Sequence, residues 1–97
     1  MRKYYVYILT NEFNSVLYTG VTNSLSRRYF EHVNKFRKNT FTAKYSLDKL
    51  VYFEEFLYID QAIHREKQIK SGSRKKKNEI IRILNPEWKN LFGVVSI

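Results

Sequence analysis

Tyr4-Tyr5-Val6-Tyr7-Ile8-Leu9-Thr10, then Asn11-Glu12-Phe13-Asn14-Ser15, then Val16-Leu17-Tyr18-Thr19-Gly20-Val21, is the stretch that decides the fold. The first run is rich in β-branched and aromatic residues, the composition of a strand. The five residues after it are a turn, and residues 16–21 form a second strand, so the two close into a hairpin. Gly20 inside that strand marks a bulge, or a place where another backbone or a ligand comes close. Tyr7 and Tyr18 thus fall on adjacent strands.

Beyond the hairpin, Thr22-Asn23-Ser24 offers N-cap oxygens. Leu25, Tyr29, Val33 and Phe36 recur at helical spacing, which predicts a helix over 24–36. Residues 39–46 read as a polar loop. Residues 47–57 contain Leu50-Val51-Tyr52-Phe53-Glu54-Glu55-Phe56, a third strand whose nearly unbroken apolar run points to a central place in the sheet. Asp60 is the expected N-cap of a helix through Lys70, closed by Gly72. Ser73 then caps a further helix with Ile80, Ile81 and Leu84 on one side. Pro86 ends it, and Trp88, Leu91 and Phe92 fold back onto the core. The expected fold is α+β: a small three-stranded antiparallel-type sheet flanked by helices, in the order β-β-α-β-α-α.

The chain has 97 residues, 43% hydrophobic and 16% aromatic, enough for one domain (1–97) with one modest core. No apolar run is long enough to cross a membrane. Met1-Arg2-Lys3 begins basic, but the run after it is too short and too β-like for a signal-peptide core. There is no Cys, hence no disulfide framework and no thiolate zinc site. A cytoplasmic protein is expected. The net charge is +9, from 18 Lys and Arg against 9 Asp and Glu, and that balance favours a polyanionic partner, most often nucleic acid.

Five side chains could carry chemistry. Glu66 lies three residues past Ile63 and three before Ile69, within the inward stripe expected from Ile59, Ala62, Ile63 and Ile69. A carboxylate there is costly unless it is paired, for instance with Arg28, binds a metal, or reaches solvent from the edge of the stripe. Arg28 and His32 are four apart and share a helix face at the flank of the core. They could bind a phosphate and move a proton, or they could belong to an ordinary solvated basic face. Tyr7 and Tyr18 could simply pack as a cross-strand aromatic pair. As reacting groups they would need a phenol lowered from about 10 by cations such as Arg28 or by a metal on Glu66. His64, about 200° around the helix from Glu66, is expected at the surface. The run Arg74-Lys75-Lys76-Lys77-Asn78 is the densest charge cluster, at a helix start where a bound phosphate would relieve the conflict with the macrodipole. Arg37, Lys38, Lys44 and Lys49 extend the positive charge around the central loop.

In order and spacing these residues resemble the GIY-YIG nuclease family over about residues 4–91. Tyr5-Val6-Tyr7 looks like its first signature triplet and Tyr18-Thr19-Gly20 like its second. Arg28 and His32 match the family's helix arginine and the residue one turn later. Glu66 matches its metal-binding glutamate. Leu84-Asn85-Pro86-Glu87-Trp88 resembles the small stand-alone bacterial members, themselves similar to the excinuclease nuclease domain. Tyr5 stands where the family name has Gly and Thr19 where it has Ile. Neither change removes a reacting group. Asn78 can fill the place of a polar residue the family often carries after the glutamate helix.

The resemblance implies a DNA endonuclease that hydrolyses a phosphodiester with one divalent metal. Tyr18 would be the general base or part of the relay, and Tyr7 would support it. Arg28 would hold the scissile phosphate, His32 would assist proton transfer, and Glu66 would hold Mg²⁺ or Mn²⁺. Arg27, Lys44, Arg74, Lys75, Lys76, Lys77 and Asn78 would touch nucleic acid. With no room for a DNA-binding module, substrate choice would follow DNA structure, a protein partner or a second copy, in repair or turnover. The alternatives are a catalytically weak nucleic-acid-binding module of the same fold and an interaction protein that docks an acidic partner.

Overall fold

The computed structural model describes residues 2–34 and 40–93. Strand β1 (Tyr4–Thr10) pairs antiparallel with β2 (Leu17–Thr22), placing Tyr7 opposite Gly20 and Leu9 opposite Tyr18. Asn14 turns the hairpin with φ 57°, a left-handed backbone that Asn accepts more readily than most residues. The Asn11 side chain holds the same turn by accepting the Ser15 amide. Strand β3 (Lys49–Phe56) pairs antiparallel with the other side of β1, giving the order β2-β1-β3. Around this sheet lie α1 (Leu25–Val33), α2 (Phe41–Lys44), α3 (Ile59–Ser71) and α4 (Arg74–Leu84). The expected α+β order holds. Phe36, Arg37 and Lys38 lie outside the described residues.

Four local expectations are corrected. The loop over 39–46 contains α2, a single turn whose N-cap Thr40 accepts the amide of Ala43. β3 is an edge strand and β1 is central. The apolar run in β3 has another cause: the register slips between Ile8 and Leu9, so Leu9 faces Leu50 while Ile8 faces Tyr52. The extra residue, Val51, turns with Tyr52 toward one face and Leu50 toward the other, and both faces are covered. The N-cap of α3 is Tyr58, with no side-chain bond, and Asp60 sits inside the first turn. Finally, Leu84, Ile59 and Ile63 are largely exposed, so the buried stripes on α4 and α3 are narrower than their hydrophobic residues suggest.

Two cores result, one on each face of the sheet. Val6 and Ile8 of β1 meet Val51, Tyr52, Ala62, Ile69 and Ile81, which brings α3 and α4 onto one face. Ala62 is fully buried, and its small side chain lets α3 approach closely; the contact line continues to Ile69 and passes Glu66 rather than Ile63. Arg65 Nε donates to Glu54 Oε2 at 2.8 Å and the Tyr52 hydroxyl donates to the same oxygen, tying α3 to β3. Tyr7 and Leu9 point the other way, into Leu25 and Tyr29 of α1 with Leu47 and Leu50. The tail closes that second core. Leu91 N–H donates to Leu50 O at 2.7 Å, Asn90 Nδ2 donates to the Tyr29 hydroxyl at 2.8 Å, and Phe92 stacks on Tyr29 at 4.3 Å. Asn85, buried at the end of α4, donates to Val51 O (3.1 Å) and Lys89 O (2.8 Å), satisfying the carbonyl at the bulge.

Candidate active site

Tyr7 hangs from the central strand, fully buried, with its phenol against Gly20 of β2. A Cβ built at position 20 would stand 2.6 Å from the Tyr7 hydroxyl and 2.7 Å from Cζ. This is the close approach that Gly20 signalled; a neighbouring side chain makes it, and the strand irregularity lies elsewhere, between β1 and β3. The Tyr7 hydroxyl lies 3.1 Å from His32 Nε2, and His32 Nδ1 lies 2.8 Å from Thr42 Oγ1. A neutral imidazole satisfies both contacts, one nitrogen donating and the other accepting. Tyr18 completes a triangle of rings, 6.2 Å from Tyr7 and 5.6 Å from His32 between centroids. α1 delivers His32 because Leu25 and Tyr29 pin its buried face; α2 fixes the ring through the buried Thr42.

Arg28, one helical turn before His32, lies beside the Tyr7 phenol and also reaches Glu31 Oε1, 3.4 Å from its Nη1. Its Nε is buried and has no hydrogen-bond partner among the described residues. Buried donors of this kind are rare, and each asks for an acceptor. Burial pushes Tyr7 up to about 12, against the pull of Arg28 and with a smaller push from Tyr18. The cation therefore does not produce the lowered phenol expected from sequence: at neutral pH Tyr7 keeps its proton and is a hydrogen-bond donor. Arg28 in turn is raised, first by its bond to Tyr7.

Tyr7, Tyr18, Arg28 and His32 are thus brought together on the α1 face. Glu66 comes from another helix. It sits on α3, which packs the opposite face over β1 and β2, and its partner is Lys70, with Nζ 3.1 Å from Oε2, rather than Arg28. Its side chain is 19% exposed. His64 is at the surface, as expected.

The basic residues are scattered. Arg27 donates to Asn23 Oδ1 at 2.9 Å. Lys44 places Nζ 5.4 Å from the Tyr45 ring centroid. Arg74 donates to Asn78 Oδ1 (2.9 Å), to Ser15 O (3.0 Å) and to Asn14 O, tying the start of α4 to the hairpin turn. Lys75 is exposed; Lys76 and Lys77 line a groove of about 330 Å³ with Arg65 and Gln68.

Sequence reasoning missed Thr42 and Phe41. Phe41 stands 6.4 Å from Tyr18. The available signal was Thr40 followed by Phe-Thr-Ala-Lys, a capped helical turn hidden in a polar stretch.

A hairpin that presents two tyrosines to an Arg–His helix, with a glutamate helix behind, defines a nuclease-type α+β domain. The GIY-YIG catalytic domain matches residues 3–79, and the chain belongs to the GIY-YIG family, a family of nucleases. Among its relatives it is similar to the small UPF0213 proteins. It is 40% identical to one from Staphylococcus haemolyticus over 82 residues, covering 84% of this chain and 96% of that protein. It is 37% identical to one from Syntrophus aciditrophicus over 91 residues, covering 90% and 98%. The solution NMR structure of a UPF0213 protein from Bacillus halodurans shares the fold with a TM-score of 0.58 and 26% identity, over 98% of this chain and 99% of that one.

Proposed function

We propose that this protein is a divalent-metal-dependent endonuclease that hydrolyses DNA phosphodiester bonds and selects DNA by its structure. Its setting is repair or turnover of DNA in the cytoplasm, with residues 4–92 as one catalytic domain and a partner or second copy contributing to substrate choice. The observation that carries this reading is the buried Arg28 Nε–H, which has no acceptor among the described residues and is set among Tyr7, Tyr18 and His32. A phosphate oxygen supplies the missing acceptor, and the guanidinium offsets the charge that develops as water attacks phosphorus and the P–O ester bond breaks.

Tyr7, protonated, donates a hydrogen bond that orients the phosphate or the attacking water. Tyr18 takes the water proton as a phenolate, or, as a neutral phenol, takes it while handing its own proton to His32. Thr42 holds His32 in a fixed ring orientation. Among the described residues no three His, Cys, Asp or Glu side chains cluster as a metal cage. Glu66 fits a hydrated ion nonetheless: it is half-buried, and its partner Lys70 is an exposed, flexible ammonium that can swing away. Mg²⁺ keeps most of its waters and takes few protein ligands. Glu66 would hold Mg²⁺ or Mn²⁺, and the bound ion supplies a Lewis acid for the phosphoryl oxygen.

The test is cleavage of a labelled panel of single-stranded, duplex, flapped and branched DNA with Mg²⁺ or Mn²⁺. Wild type is compared with Glu66→Ala, Tyr18→Phe and Arg28→Ala, each checked for fold by circular dichroism. Metal-dependent cutting lost in all three supports the proposal. Cutting that survives Glu66→Ala, or salt-sensitive binding by every protein with no cutting on any substrate, overturns it.

A further inference from the structure

We propose that α2 carries a base-stacking site, in which Phe41 and Tyr45 take an unpaired base of the DNA strand lying beside the tyrosine cluster. This rests on the nuclease reading above and names the form of DNA it selects. Phe41 is 48% exposed and Tyr45 40%, although both belong to a segment anchored to the site. The anchor is Thr42, buried between them and bonded to His32. The two rings lie 4.8 Å apart and tilted by 51°, so neither covers the other as a stacked pair would. With Tyr18 they form a continuous series of rings, 6.4 Å and 4.8 Å between successive centroids, leading away from the candidate active site.

Charge favours nucleic acid as the occupant, and one part of it specifically. The Lys44 ammonium over Tyr45 stands where a backbone phosphate would pass, in a chain of net charge +9. Past Tyr45 the surface falls into a groove of about 470 Å³, reaching to Phe13 of the hairpin turn, within the range of roughly 300–1,000 Å³ for small-ligand sites. Glu12 and Asp48 line that groove with Lys49. Two carboxylates repel a phosphate and accept hydrogen bonds from the exocyclic amino groups of bases. The groove therefore suits a base, with its phosphate left on the Lys44 side. Within a duplex the base faces are covered by their neighbours in the stack, so away from a duplex end only an unpaired base can lie on Phe41 or Tyr45.

The experiment is fluorescence anisotropy in EDTA, so that binding is read without cleavage. The ligands are a blunt DNA duplex and the same duplex with an unpaired tail. The proteins are wild type, Phe41→Ala, Tyr45→Ala and Phe41→Leu, which keeps an apolar side chain without a π face. Each Ala variant is expected to weaken tailed-DNA binding roughly 5- to 150-fold and leave blunt-duplex binding unchanged. Phe41→Leu is expected to behave like Phe41→Ala. Equal losses on both DNAs, no loss on the tailed DNA, or full binding by Phe41→Leu would each overturn the assignment. So would stronger binding of a tailed RNA duplex with the same losses, which would move the occupant to RNA. None of these outcomes depends on cleavage, and Glu66→Ala tests the nuclease reading without touching α2, so the two can fail separately.

Discussion

Replacing Gly20 with Ala adds one methyl group at the tightest point of the candidate site. That carbon would stand 2.6 Å from the Tyr7 hydroxyl, 2.7 Å from Cζ and 3.0 Å from Cε1, well inside van der Waals contact. Gly20 sits within a regular strand pairing, so Ala has no backbone penalty there and, on conformational entropy alone, would gain roughly 0.5–1 kcal/mol. The clash decides the sign. Tyr7 is fully buried in a close-packed core and hydrogen-bonded to His32, so the ring can move only by disturbing both. Overpacking of this kind costs roughly 1–3 kcal/mol. Taking about 2 kcal/mol net, a chain of this size loses about 8–16 °C in Tm. Urea and thermal unfolding measure it. The double variant with Tyr7→Phe separates the cause: removing the hydroxyl removes the shortest contact, so the two changes together should cost less than their sum. A Gly20→Ala protein as stable as wild type, or strictly additive effects, would refute the argument that Gly20 is required by the Tyr7 ring.

Three further outcomes are expected. Tyr7 and Tyr52 are both raised by burial from 10 to about 12, so each folded phenol holds its proton after the unfolded one has released it. Their stabilisation is whole below pH 10 and is lost as pH rises from about 10 to 12, roughly 2–3 kcal/mol for Tyr7; Tyr29 is raised by burial too, and tyrosinate absorbance should show one fewer late-titrating phenol in Tyr7→Phe than in wild type. Asn85→Ala leaves the buried Val51 carbonyl and the part-buried Lys89 carbonyl without their donor and should cost about 2 kcal/mol, read as a lower urea midpoint with an unchanged slope. Arg74→Ala should cost about 1 kcal/mol and speed amide hydrogen exchange around Asn14 and Ser15, with little effect at α1.

The hairpin, the element order and the residues on α1 were legible because they rest on local patterns: β-branched runs, turn formers and a helical stripe that includes Leu25 and Tyr29. Gly20 announced a close approach, though only the paired strand shows that Tyr7 makes it. What could not be read was set by tertiary register. The apolar run of β3 looked central because a bulge at Val51 is invisible in composition. Glu66 looked like the odd residue among Ile59, Ile63 and Ile69, yet α3 turns Ala62 and Ile69 inward and leaves Ile59 and Ile63 out, because the smallest residue allows the closest approach. Tyr7's raised phenol follows from burial, which sequence does not price. The family match ends at residue 79, while Asn85, Asn90 and Leu91 still complete the cores.

The late position of these residues bears on how the protein is made. The Tyr29 hydroxyl accepts from Asn90 across 61 positions of sequence, and Leu50 donates its N–H to Asn90 Oδ1 and accepts the N–H of Leu91. During translation, α1 and the first two strands leave the ribosome long before the residues that cover Tyr29 exist. Until residues 90–92 emerge, Tyr29 and Leu50 lack the partners that close the second core. Closure of that core waits for Asn90, Leu91 and Phe92 to arrive.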